Sequence, residues 1–177
     1  TNNLYLVAWC VRYSGVDGDI YAQRVTPSGA PVGGAIFVEP FTNTVSSYPT
    51  VANNNGSDRF LVAWQQYPSQ LGGVQDLACS GVNASNAALS NTLLFAIDGY
   101  YPRAGGESLV GYPNVQVVWN KLGIRGASIS LPPTGGPGLV NTYVLSTVVS
   151  SGPVSISRSG GDPGQYLAVW REPIPGL

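Results

Sequence analysis

Four tryptophans set the frame of this chain: Trp9, Trp64, Trp119 and Trp170, separated by 55, 55 and 51 residues. A fixed period of this size marks a repeated supersecondary unit. Each Trp closes a short apolar run: YLVAW at 5–9, FLVAW at 60–64, VQVVW at 115–119 and YLAVW at 166–170. A second element follows the first three runs, DIYAQRV at 19–25, DLACSGV at 76–82 and GIRGASI at 123–129. Its skeleton is a β-former, any residue, a small residue, two variable residues, then Val or Ile. A third element is apolar again, AIFV at 35–38, LLFAI at 93–97 and TYVLS at 142–146. A fourth begins at Pro49, Pro102 and Pro153.

One unit therefore holds four short β segments: a from the proline, b ending in Trp, c, and d. Turn chemistry separates them, with Asn53–Asp58 and Gly160–Gly164 between a and b, Asn120–Gly123 between b and c, and Pro27–Gly29 between c and d. In strand b both alternating sets are apolar, the mark of a strand buried on both faces. No window shows a capped amphipathic stripe. The 23 glycines and 14 prolines, about a fifth of the chain, also act against long helices. The 44% of apolar residues still supply a core.

These features predict an all-β fold: a β-propeller-like array of four-stranded antiparallel blades with repeats of ~51–55 residues. A two-sheet β-sandwich is the alternative. Strands are expected near 4–9, 19–25, 35–38, 49–53, 59–66, 76–82, 93–97, 115–119, 124–130, 142–147, 153–157 and 165–171, with another opening at Pro102. In order the chain reads b c d, a b c d, a b c d, a b. That is about three and a quarter blades, in units of approximately 1–48, 49–101, 102–152 and 153–177. Propellers close with about 4 to 8 blades. The segment is thus expected to be a single repeat domain, or part of a larger propeller, whose strand edges pair with another copy or with the rest of a longer chain. The four Trp side chains are expected to be buried at equivalent places.

The combination of YLVAW, DIYAQRV, a Gly-rich turn, SSYPTVA and a second FLVAW resembles the repeats of secreted bacterial and archaeal β-propeller proteins. The resemblance is strongest over residues 1–67 and weakest over 103–165. It implies a fold and an export route, and supplies no catalytic residue.

Composition removes several chemistries. The chain has no histidine, which excludes Ser-His-Asp and Cys-His catalysis and His-ligated zinc. Charged residues are 10% and the net charge is −1, so there is no basic surface for nucleic acid. No apolar run approaches 18 residues, so no transmembrane helix is expected. The nine carboxylates fall mainly in turns, and nothing pairs two of them for glycoside hydrolysis. Asp17 and Asp19 flank Gly18 in a calcium-like acidic loop, but the other units do not repeat it, and a polar turn is the simpler reading. No cofactor is expected. Cys10 and Cys79 fall in neighbouring units and could form a disulfide or remain buried thiols. Arg12, Tyr13, Gln66, Tyr67, Tyr100 and Tyr101 flank strand ends, where Tyr and Arg suit a recognition rim.

The function this implies is a non-catalytic extracellular or cell-surface repeat module for protein or glycan binding, structural assembly, or both. The alternative is a carbohydrate-active or accessory propeller of a secreted hydrolase.

Overall fold

The computed structural model describes residues 3–68, 70–107, 112–149, 152–158 and 165–173. Every regular element among them is a strand: β1 (Tyr5–Arg12), β2 (Gly18–Val25), β3 (Pro31–Phe37), β4 (Val45–Asn54), β5 (Arg59–Tyr67), β6 (Asp76–Asn83), β7 (Leu93–Ile97), β8 (Tyr100–Gly105), β9 (Asn114–Asn120), β10 (Ile124–Ser130), β11 (Gly138–Ser146), β12 (Ser155–Ile156) and β13 (Ala168–Val169). The chain is all-β. Antiparallel neighbours run β1-β2-β3, then β4-β5-β6-β7, then β8-β9-β10-β11, then β12-β13. These four groups are units one to four below. A single parallel bridge, Gly18 to Val45, joins units one and two into one seven-stranded sheet. The three sheets are open and do not close on one another.

The repeated skeleton has a register behind it. Trp9 stands opposite Tyr21, Trp64 opposite Ala78 and Trp119 opposite Arg125. Each partner lies between the β-former and the small residue of strand c, so the three tryptophans occupy one place in three units. The core lies between units. Leu6, Ala8, Ile20 and Ala22 of unit one pack with Phe60, Val62, Trp64 and Ala78 of unit two. Leu61, Ala63, Leu77 and Phe95 of unit two pack with Val115, Val117 and Trp119 of unit three. Val118 and Ile124 of unit three meet Val154, Ile156 and Trp170 of unit four. Strand b of unit two is therefore apolar on both faces because a neighbouring unit covers each.

Several expectations need correction. Trp64 and Trp119 are buried, but Trp9 and Trp170 are only half-buried. Trp64 and Trp119 each press into the unit before their own, whereas the matching face of unit one is open. Strand a does not begin at its proline. β4 starts at Val45 and β8 at Tyr100, and Tyr48-Pro49 and Tyr101-Pro102 sit in ladder irregularities within them. Proline removes one ladder donor, so pairing breaks there and resumes on either side. β3 and β11 begin four residues before the expected 35 and 142, and β12 and β13 are shorter than 153–157 and 165–171. The expected turn at Gly160–Gly164 lies outside the described residues.

Candidate functional site

An exposed aromatic group gathers where strand a begins, beside the end of strand b. Tyr48 and Tyr101 occupy equivalent positions in units two and three, each immediately before a proline. Both hold left-handed backbone, φ 52° and 54°. That conformation is costly for a residue with a Cβ, by about 1–3 kcal/mol, and such strain concentrates at functional sites. Their rings meet edge to face with centroids 4.8 Å apart, and Tyr100 lies 6.5 Å from Tyr101. The Tyr101 N–H donates to Gln65 Oε1 (3.0 Å), which ties the strained backbone to strand b of the preceding unit. All three tyrosines remain exposed. The result is an exposed aromatic surface of three contacting rings.

The other rim residues are distributed differently. Tyr67 is exposed at the end of β5. Tyr13 and Arg12 are exposed at the end of β1, where the Tyr13 and Tyr21 hydroxyls share a 3.0 Å hydrogen bond. That bond, more than any other cause, pushes the Tyr13 phenol up to about 12. Gln66 is a correction: it is fully buried, because it shares the face of Trp64 that unit one covers. It cannot act as an exposed contact. Tyr48 was missed in the sequence, although its Tyr-Pro step matches Tyr101-Pro102.

Asp17 and Asp19 close a turn. The Asp17 carbonyl accepts the N–H groups of Tyr13 (3.0 Å) and Ser14 (3.1 Å). Burial, helped by the charge of Asp17, raises the Asp19 pKa. Among the described residues no three His, Cys, Asp or Glu side chains gather as a metal centre. Both cysteines are free thiols. Cys10 Sγ donates to the Ser46 carbonyl (3.1 Å) and stays exposed, while Cys79 lies in the core between units two and three, where burial pushes its thiol strongly up. They sit on opposite sides of unit two's sheet, which explains why no bridge forms.

The junctions also hold two arginines that sequence reasoning passed over. Arg24 Nη1 donates to the carbonyls of Ala84 (2.9 Å) and Ser85 (2.7 Å) in the c–d turn of unit two. Arg59 Nη1 donates to Pro132 (2.8 Å) and Gly135 (2.7 Å) in the c–d turn of unit three. Counted from the repeat, Ser85 and Pro132 are the same position. The arginines are not: Arg24 stands on strand c, Arg59 on strand b. Position 81, which matches Arg24, is glycine, and a Cβ there would lie 2.5 Å from Arg59 Nη2. The guanidinium of Arg59 thus fills the space over Gly81 that an arginine side chain fills in unit one. A hollow of about 550 Å³ opens nearby, walled by polar Asn53, Asn55 and Asp58 and apolar Leu4, Tyr5 and Phe60. No family model, curated protein or solved structure matches the chain.

Proposed function

We propose that the chain is a non-catalytic repeat module of propeller-like architecture, working at the cell surface or outside the cell, that assembles through its unit faces and presents aromatic strand ends to a protein or glycan. One observation carries this reading. Units two and three each bury one face, centred on Trp64 and Trp119, in the unit before. The equivalent face of unit one is open, with Tyr5 61%, Val7 50% and Phe37 48% exposed around a half-buried Trp9. Trp9 and Tyr21 stack at 6.2 Å, and Tyr21 meets Phe37 at 5.4 Å, so the face is continuous. A contiguous apolar face of this kind marks an interaction surface. β1 is also the terminal strand of its sheet, and no strand among the described residues pairs with its outer edge. Low net charge gives little repulsion against association.

The test is light scattering after size exclusion across a concentration series. Association is expected to rise with concentration and to be suppressed by Val7→Lys, which places a charge in the middle of the open face. A monodisperse monomer at all concentrations, with fast-exchanging amides from Tyr5 to Trp9, would sink the assembly reading.

A further inference from the structure

The junction of units one and two encloses polar atoms whose partners are missing. Glu39, just after β3, is fully buried. Its Oε1 accepts from the Phe41 N–H (3.0 Å) and from Thr44 Oγ1 (2.9 Å). Its Oε2 has no hydrogen-bond partner among the described residues, and neither do Ser46 Oγ or Oε1 and Nε2 of Gln66. All three residues are fully buried. Ser46 and Gln66 stand directly opposite each other on β4 and β5. Opposed residues of an antiparallel pair project to the same face, here the Trp64 face that packs on unit one. The Ser46 hydroxyl lies close enough to the Glu39 carboxylate to draw its pKa down against the larger upward push of burial.

No lysine or arginine among the described residues is hydrogen-bonded to Glu39. Asp76, opposite Gln66 on β6, is already engaged by the N–H groups of Gln70 and Leu71. Asp19, on the neighbouring strand β2, adds negative potential at Glu39 rather than relieving it. A buried carboxylate oxygen and a buried amide without partners, with the Ser46 hydroxyl beside that carboxylate but outside good hydrogen-bond geometry, are a costly arrangement unless something else is bound between them.

We propose that this junction binds a hydrated alkali cation through Glu39 Oε2, Ser46 Oγ and Gln66 Oε1. The three ligands are hard oxygens, which select against thiophilic metals. Glu39 is the one carboxylate among these three ligands, and the Asp76 carboxylate beside Gln66 is already held by two backbone N–H groups, so a monovalent ion matches the charge that the ligands supply. Gln66 Nε2 is a donor and does not ligate; a water completing the ion's shell accepts from it. The ion ties β4 and β5 of unit two to the segment after β3 of unit one.

The test is thermal unfolding of the full chain in sodium, potassium or tetramethylammonium chloride at equal ionic strength. Tetramethylammonium is too large for the junction. A ligand held only by the folded state raises the midpoint, here by about 2–4 °C in sodium or potassium. In Glu39→Gln, with the fold checked by circular dichroism, the three salts should give one midpoint. Ser46→Ala should shrink the difference. Crystals soaked in rubidium chloride should show an anomalous peak beside Glu39 Oε2. Equal midpoints for the unaltered chain would overturn the proposal and leave the group to a buried water or a neutral carboxyl. So would a salt difference that survives in Glu39→Gln. Should that variant fail to fold, an undiminished difference in Ser46→Ala is equally decisive against it.

Discussion

Trp64 and Trp119 show what one side chain does at a junction. Each fills the space between two units, and Trp119 also meets Phe95 edge to face at 5.7 Å. Trp64→Ala is expected to cost about 3–5 kcal/mol in chemical denaturation, the usual range for emptying a large aromatic site. Trp9→Ala should cost clearly less, because that indole is only partly buried and no unit among the described residues covers its face. Equal losses would mean that the open face of unit one is covered in solution. The thiols separate in the same way. Cys10 should react with a disulfide reagent in the folded protein and Cys79 only after unfolding. The Cys10 pKa is raised, chiefly by partial burial, so its thiolate is scarce at neutral pH. Its reaction should therefore run slower than that of a free thiol at pH 7 and quicken as pH rises. The places of Trp9, Trp64 and Trp119 were legible in the sequence because period and apolar pattern both fix them. Gln66 was not, because burial of a polar side chain depends on which unit covers it, and no local pattern carries that information.

At the scale of elements, the strand order was legible and the strand ends were not. Turn residues and the apolar run preceding each Trp mark where strands lie. Ladder pairing on the far side of a proline leaves no such mark, so β4 and β8 extend beyond what Pro49 and Pro102 suggested. Strand c shows a tighter constraint. A Cβ added at Gly126 would lie 2.2 Å from the Tyr143 ring on β11. Tyr143 donates to Gln116 Oε1 at 2.8 Å, which holds that ring across the sheet. Gly126→Ala should therefore destabilise unit three by about 1–3 kcal/mol, the range for overpacking. Tyr143→Ala, which removes the clash, should make the glycine change much milder. A double-mutant cycle by urea denaturation measures this coupling; simple additivity would show that the ring moves aside at no cost.

Across the whole molecule, the buried apolar clusters lie between units, while the backbone ladders lie mostly within them. Unfolding should be cooperative over units one to three and looser at β12 and β13, which hydrogen exchange can resolve. Arg24 and Arg59 belong to this scale, since each crosses a junction to hold the next unit's turn. Their guanidinium groups reach one matching carbonyl position, Ser85 and Pro132, from different strands, so what the repeat preserves is a charge at a point in space. A column-by-column comparison of the units would score Leu4 against Arg59 and Arg24 against Gly81 as two unrelated divergences. They are one compensated exchange between two loci. Leu4→Arg combined with Arg24→Gly should consequently be better tolerated than Arg24→Gly alone, and a family of such repeats would drift along paired substitutions that leave the anchoring charge where it is.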